Sequence, residues 1–133
     1  MLYNLIICDQ ELSYDEYKEE FNIGFFSSYK KAEEIARYYL KNIDGFKDYN
    51  CSYEIINRNV RGIKVGEIIY MISGWNENSE FDPIEIVNSE CFTEEKEAMK
   101  YMAKMKRKYT RTNWSLDKFI VNECLWKDGF IRV

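Results

Sequence analysis

The sequence predicts an α+β fold: an internally duplicated ββαβ unit, giving a largely antiparallel sheet with two helices packed on it. Three observations carry this expectation. Residues 26–43 write one complete amphipathic helix, in which Ala32, Ile35, Ala36, Tyr39, Leu40 and Ile43 fall on a single stripe while Lys30, Glu33, Glu34, Arg37 and Lys41 lie off it. Short apolar runs bounded by turn residues precede and follow this helix, as strands do. Moving 66 positions along the chain brings the plan back, so that Phe26-Ser27 becomes Phe92-Thr93, Ala32 becomes Ala98, Ala36 becomes Met102 and Tyr39 becomes Met105. Leu2 and Ile6 become Ile68 and Ile72, and Tyr53 and Ile55 become Phe119 and Val121. A constant register across strand, helix and strand is the mark of a repeat. It divides one domain into pseudo-repeats 1–62 and 63–133.

Each element has its own grounds. Leu2 to Cys8 is nearly continuous in apolar residues and suits a strand central in its sheet. Phe21 to Phe26 is the second strand, with Gly24 marking a bulge or a close backbone approach. Ser27 or Ser28 caps the helix, because a hydroxyl there accepts from its first free amides, and Asp44-Gly45 stops it. Cys51 to Val60 is the third strand, and Arg61-Gly62 the hinge between halves. The second half repeats the order with Lys64 to Trp75, Ile84 to Phe92, a helix whose stripe is Ala98, Met102, Met105 and Tyr109, and a strand over Lys118 to Trp126. Glu94 and Glu95 favour the start of that helix and Lys104, Lys106, Arg107 and Lys108 its end, by the sign of the helix dipole. Lys127-Asp128-Gly129 reads as a tight turn sending Phe130 to Val133 back along the sheet. A strand that follows a crossover helix runs parallel to the one before it, so the first strand of each half belongs between the other two. The two halves are expected to join third strand to third strand in a single six-stranded sheet, with two sheets face to face as the alternative.

Composition bounds the function. A chain of 133 residues, 46% hydrophobic and 32% charged, is that of a globular domain able to bury roughly two thirds of its unfolded surface. Aromatic residues reach 17%, which implies an aromatic core or a sticky exposed face, and the net charge of −4 argues against a general polyanion binder. No segment approaches the 18 or so uninterrupted apolar residues of a membrane span, and Met1 leads straight into a strand without a basic leader, so the expected location is cytoplasmic. Cys8, Cys51, Cys91 and Cys124 are widely spaced with no C-x-x-C pair, and histidine is absent. Reduced, mostly buried thiols are therefore expected, and neither a metal site, a cofactor nor a histidine-based catalytic dyad.

Phe25-Phe26-Ser27-Ser28 with Ala32, then Gly45-Phe46-Lys47-Asp48, and finally Trp126-Lys127-Asp128-Gly129-Phe130 resemble small bacterial domains of unknown function. Those domains read hydrophobic-Ser-Ser, helix, Gly-Phe-x-Asp, strand, and close on an aromatic followed by Gly-Phe. The resemblance implies a compact ββαβ unit and no established activity. Here the Gly-Phe-x-Asp element lies in the first half and the closing element in the second.

Two acidic connections occupy equivalent places in the repeat. From Asp9 to Glu20 six acids, Asp9, Glu11, Asp15, Glu16, Glu19 and Glu20, face only Lys18, with Tyr14 and Tyr17 interleaved. The second connection holds Glu77, Glu80 and Asp82 beside Trp75 and Phe81. Aromatic anchors ringed by charge suit capture of a basic protein surface, so Asp15, Glu16, Tyr17, Glu19, Glu20, Trp75, Glu77, Glu80 and Asp82 are the candidate partner-binding residues. Polar loops whose rings fold back on the sheet are the plainer alternative. The functional expectation is a non-catalytic interaction module, an acidic inhibitor, immunity-type protein or adaptor. The alternative is a nucleic-acid-associated regulator using Lys104, Lys106, Arg107, Lys108 and Arg111 with Trp114, since phosphate neutralisation beside stacking rings is what single strands need. Carboxylate pairs such as Asp15 with Glu19 or Glu77 with Asp82 are the enzyme-like resource, and nothing in the sequence orients them. Homodimerisation through an unpaired sheet edge is a further partner expectation.

Overall fold

Alternating apolar side chains on short runs, and a 3.6-residue stripe between them, produce the expected class. The computed structural model describes residues 1–10, 19–62, 67–76 and 85–131. In chain order these form β1 (Leu2–Asp9), β2 (Glu19–Phe26), α1 (Tyr29–Asn42), β3 (Cys51–Arg58), β4 (Val60–Arg61), β5 (Ile68–Asn76), β6 (Glu85–Phe92), α2 (Glu95–Lys108) and β7 (Asn113–Ile120). The chain divides into two compact units, one of Met1–Arg58 with Val121–Val133 and the other of Asn59–Ile120. The strands make two sheets, ordered β2-β1-β3 and β4-β6-β5-β7, which corrects the expectation of one six-stranded sheet. Val60–Arg61 is the reason: it leaves β3 and pairs parallel to Cys91 and Phe92, so the presumed hinge is itself a strand of the second sheet.

In the first unit β1 lies between β2 and β3, as its nearly continuous apolar run predicts, and is antiparallel to both. The register slips between Leu5 and Ile6, opposite Gly24, where a bulge was expected. Leu5, Ile7, Phe21 and Ile23 meet Ala32, Ala36 and Tyr39 of α1 in one core, which Phe46 completes. Ile35, Leu40 and Ile43 pack at its margin, so the whole predicted stripe of α1 faces inward. Ser28 is the cap: its Oγ accepts from Lys31 N at 3.1 Å. Asn4 is buried, and its amide donates to Asn22 Oδ1 at 2.8 Å and to the Gly24 carbonyl at 3.0 Å, which satisfies it.

After the short β4, the second unit runs strand, strand, helix, strand, with β5 between β6 and β7 and antiparallel to both. Its core joins Ile72, Phe92 and Ala98, with Tyr70, Tyr101, Met102, Trp114 and Leu116 packed around them. Arg61 lies over the Phe92 and Tyr101 rings, 5.8 and 5.2 Å from their centroids, and its Nε is 3.2 Å from Glu90 Oε2. The N-cap of α2 is Glu94, which makes no side-chain cap bond, so Glu95 and Glu97 in the first turn offset the exposed amides through the dipole. Met105 and Ala98 are buried as predicted, whereas Tyr109 is 38% exposed at the C-cap.

Residues after β7 depart from the expectation. The last strand runs over Asn113–Ile120, earlier than the predicted 118–126, and so breaks the 66-residue offset that β2, α1, β6 and α2 obey. Asn122 in a left-handed conformation (φ 69°) ends the strand, and the chain beyond it belongs to the first unit. There Asn122 N donates to the Phe25 carbonyl and Leu125 N to the Ile23 carbonyl, each at 2.7 Å, so the tail lies along the free edge of β2. The Asp-Gly turn forms, with Gly129 N donating to the Trp126 carbonyl at 3.0 Å, but Phe130 enters the first unit's aromatic core instead of starting a strand. All four cysteines are thiols outside any disulfide, with Cys8 and Cys91 buried. Among the described residues no helix is long and apolar enough to cross a membrane.

Two outcomes follow from this packing. A β-carbon on Gly45 (φ 86°) would stand 2.5 Å from the Phe130 carbonyl oxygen and 2.6 Å from its ring. Gly45→Ala is therefore expected to lose roughly 1–2 kcal/mol from the left-handed backbone alone, and more as Phe130 is displaced, read as a lowered urea midpoint. Burial and the neighbouring Cys124 push the Tyr39 hydroxyl from 10.0 up to about 12, while it donates to the Leu125 carbonyl at 2.8 Å. A raised folded-state value means that this stability is fully present below the unfolded value and is lost as pH climbs toward 12. Tyr39→Phe should accordingly be about 1 kcal/mol less stable at neutral pH, with the gap to wild type closing between pH 10 and 12. A gap that stays constant in paired denaturation curves would refute the assignment.

Candidate interaction surface

Two Asp-Gly-Phe tripeptides, Asp44-Gly45-Phe46 and Asp128-Gly129-Phe130, meet in the first unit and build its most distinctive surface. Phe130 N donates to the Asp44 carbonyl at 3.1 Å. Gly129 (φ 80°) lies so close that a β-carbon on it would stand 2.0 Å from that same carbonyl oxygen. Both glycines take backbone angles that other residues adopt only with strain, and both lack the atom that would hold the segments apart. The Asp48 carboxylate braces the first turn, accepting from Gly45 N at 2.9 Å.

Once brought together, the phenylalanines form a layered cluster. Phe130 stacks on Phe21 with centroids 4.4 Å apart, and meets Phe46 edge-on at 4.9 Å and Tyr49 at 5.8 Å. Trp126 stands edge-on to Phe21 at 4.9 Å, yet remains 48% exposed. Its backbone is left-handed, with φ 57°, an unfavourable setting for a bulky side chain. Asn122 fixes the entry of this segment, because its Oδ1 accepts from both the amide and the hydroxyl of Ser27, at 3.0 and 3.2 Å.

The result is an open groove of about 550 Å³ lined by Phe21, Trp126, Phe130 and the 90% exposed Ile131, with Glu19, Asp44 and Asp128 at its margin. Asp44 Oδ1 already holds the Lys47 ammonium at 3.2 Å. Glu19 is paired in register with Asp9, where β2 begins and β1 ends. Asp9, predicted within an acidic connection, instead ends β1 and is fully buried. The lining residues supply carboxylates and aromatic rings.

Among the partner-binding candidates, Glu19 lines this groove and Glu20, the next residue of β2, is exposed opposite Cys8. Trp75 is half-buried near the end of β5, opposite Asn113. Asp15, Glu16, Tyr17, Glu77, Glu80 and Asp82 lie outside the described residues. Lys104, Lys106, Arg107, Lys108 and Arg111 are exposed, and Lys108 Nζ stands 5.3 Å from the centroid of the Tyr109 ring. Trp114 is committed to packing: its ring closes on Gly74, and its indole nitrogen is buried without a hydrogen-bond partner. Among the described residues no group of three or more His, Cys, Asp or Glu side chains is placed to hold a metal ion.

Sequence reasoning missed Trp126, Asp44 and Asp128 as surface residues, because it placed the last of these in a hairpin turn and the first in a strand. The repeated Asp-Gly-Phe tripeptide was the available signal. No family model, curated protein or solved structure matches the chain.

Proposed function

We propose that the protein is an interaction module that captures a basic protein surface, as an inhibitor, immunity-type protein or adaptor, through the acidic and aromatic face of its first unit. The observation that carries this is Trp126. A large aromatic held half-exposed on strained backbone, anchored on Phe21 and ringed by Glu19, Asp44 and Asp128, has the make-up of an interface anchor with a steering rim. Backbone strain at a bulky residue persists only where the surrounding structure enforces it, and such positions concentrate at functional surfaces. The acidic segment that leads into Glu19 and Glu20 extends the same sign of charge along the sequence. The basic end of α2 is the competing surface, and its tryptophan, Trp114, is taken up by the core of the second unit.

Affinity capture from a nuclease-treated lysate of the protein's own host distinguishes the two. The tagged protein is expected to retain a basic protein that a salt step releases, because exposed charge pairs are screened within about 10 Å at 0.1 M salt. Glu19→Lys with Glu20→Lys should abolish that retention, and Lys104→Ala with Arg107→Ala and Lys108→Ala should leave it intact. Bound material that disappears with nuclease, or that depends on the α2 cations instead, would overturn the reading.

A further inference from the structure

We infer that the groove beside Trp126 receives an arginine side chain of the basic partner, its guanidinium laid against the indole and its N–H groups turned to the carboxylates of Glu19 and Asp128. This rests on the preceding reading and names what the surface recognises. The groove joins the two components that a guanidinium uses together. A tryptophan ring is the best partner for a cation over its face, and Trp126 is the exposed ring here. Carboxylates at the margin accept the planar fork of N–H donors.

Charge decides the occupant. Three carboxylates, Glu19, Asp44 and Asp128, line the groove, so a positively charged guest is complementary to it and a neutral one is not. One end already shows the preference, because Asp44 holds the ammonium of Lys47 from its own chain. Glu19 and Asp128 have no such ion pair among the described salt bridges, so the incoming cation has its place at their end. Arginine is favoured over lysine because its guanidinium is planar, is more weakly hydrated and stacks on rings, whereas an ammonium gives up more hydration to enter the same space. A volume of about 550 Å³ accepts one long side chain with its flanking backbone, within the usual range of ligand clefts.

The test titrates the intact protein with tetra-arginine, tetra-lysine and neutral tetra-citrulline peptides at low salt, and follows its three indole N–H resonances. Tetra-arginine should move the Trp126 resonance and leave those of Trp75 and Trp114 in place. It should bind roughly two- to fivefold tighter than tetra-lysine, the ratio that a stacked cation adds, and citrulline should leave the resonance still. Glu19→Gln and Asp128→Asn keep the aromatic packing and should each weaken the arginine effect severalfold, while Trp126→Leu should remove the reporting resonance and the preference for arginine over lysine measured by calorimetry. A Trp126 resonance unmoved by arginine, or moved equally by citrulline or lysine, overturns the inference. If capture from lysate is lost in Glu19→Lys with Glu20→Lys while Trp126 ignores arginine, the acidic surface stands and the arginine site falls. If Trp126 responds to arginine and no basic protein is captured, the arginine site stands and the parent reading falls.

Discussion

Closure of the first unit depends on one backbone contact, the approach of Gly129 to the Asp44 carbonyl with the neighbouring Phe130 N–H bonded to that oxygen. Everything at that end of the unit is positioned by it. Phe130 reaches Phe21 and Phe46 because the two turns touch, Trp126 is held against Phe21 because the segment between Asn122 and Gly129 is pinned at both ends, and the carboxylates of Asp44 and Asp128 border one groove because their tripeptides meet. A methyl group at either glycine would intrude on this contact. Such close backbone approaches are where glycine's missing side chain matters more than its conformational freedom.

Much of the architecture was legible because it is local. The stripe from Ala32 to Ile43, the Ser28 cap, the stop at Asp44-Gly45 and the central place of β1 all follow from spacing within a few residues or from the handedness and direction rules of sheets. What was not legible is long-range. Periodicity in Val121–Trp126 resembles a strand, and it does run along β2, but through two backbone bonds to a unit that begins about a hundred residues earlier. Sequence patterns carry no information about which edge such a segment will choose, and the 66-residue offset pointed to the wrong one. The Gly-Phe-x-Asp and Gly-Phe elements, assigned to different halves, belong to a single unit. Of the candidate site, Glu19 and Glu20, expected in the acidic connection, are exposed residues that begin β2, while Trp126 was hidden by its assignment to a strand, where its left-handed backbone does not fit.

The two units solve the placement of charge differently. In the second, Arg61 is satisfied by its own chain: two rings lie beneath it and Glu90 accepts from its guanidinium. In the first, rings and carboxylates are brought together around a groove where Asp44 holds Lys47. The same components, an aromatic pair and a carboxylate, are thus joined by an arginine of the same chain in one unit and line an open groove in the other.

Because the first unit is built from residues on both sides of the second, its completion is ordered in time. The second unit, Asn59–Ile120, is wholly synthesised before Val121 is added, whereas β1, β2, α1 and β3 must wait for Phe130 to fill their aromatic core. At elongation rates of about 5–20 residues per second the interval between Arg58 and Val121 is roughly 3 to 12 s, long compared with the folding of a small domain. During that interval Phe21 and Phe46 lack the Phe130 ring that packs against both of them.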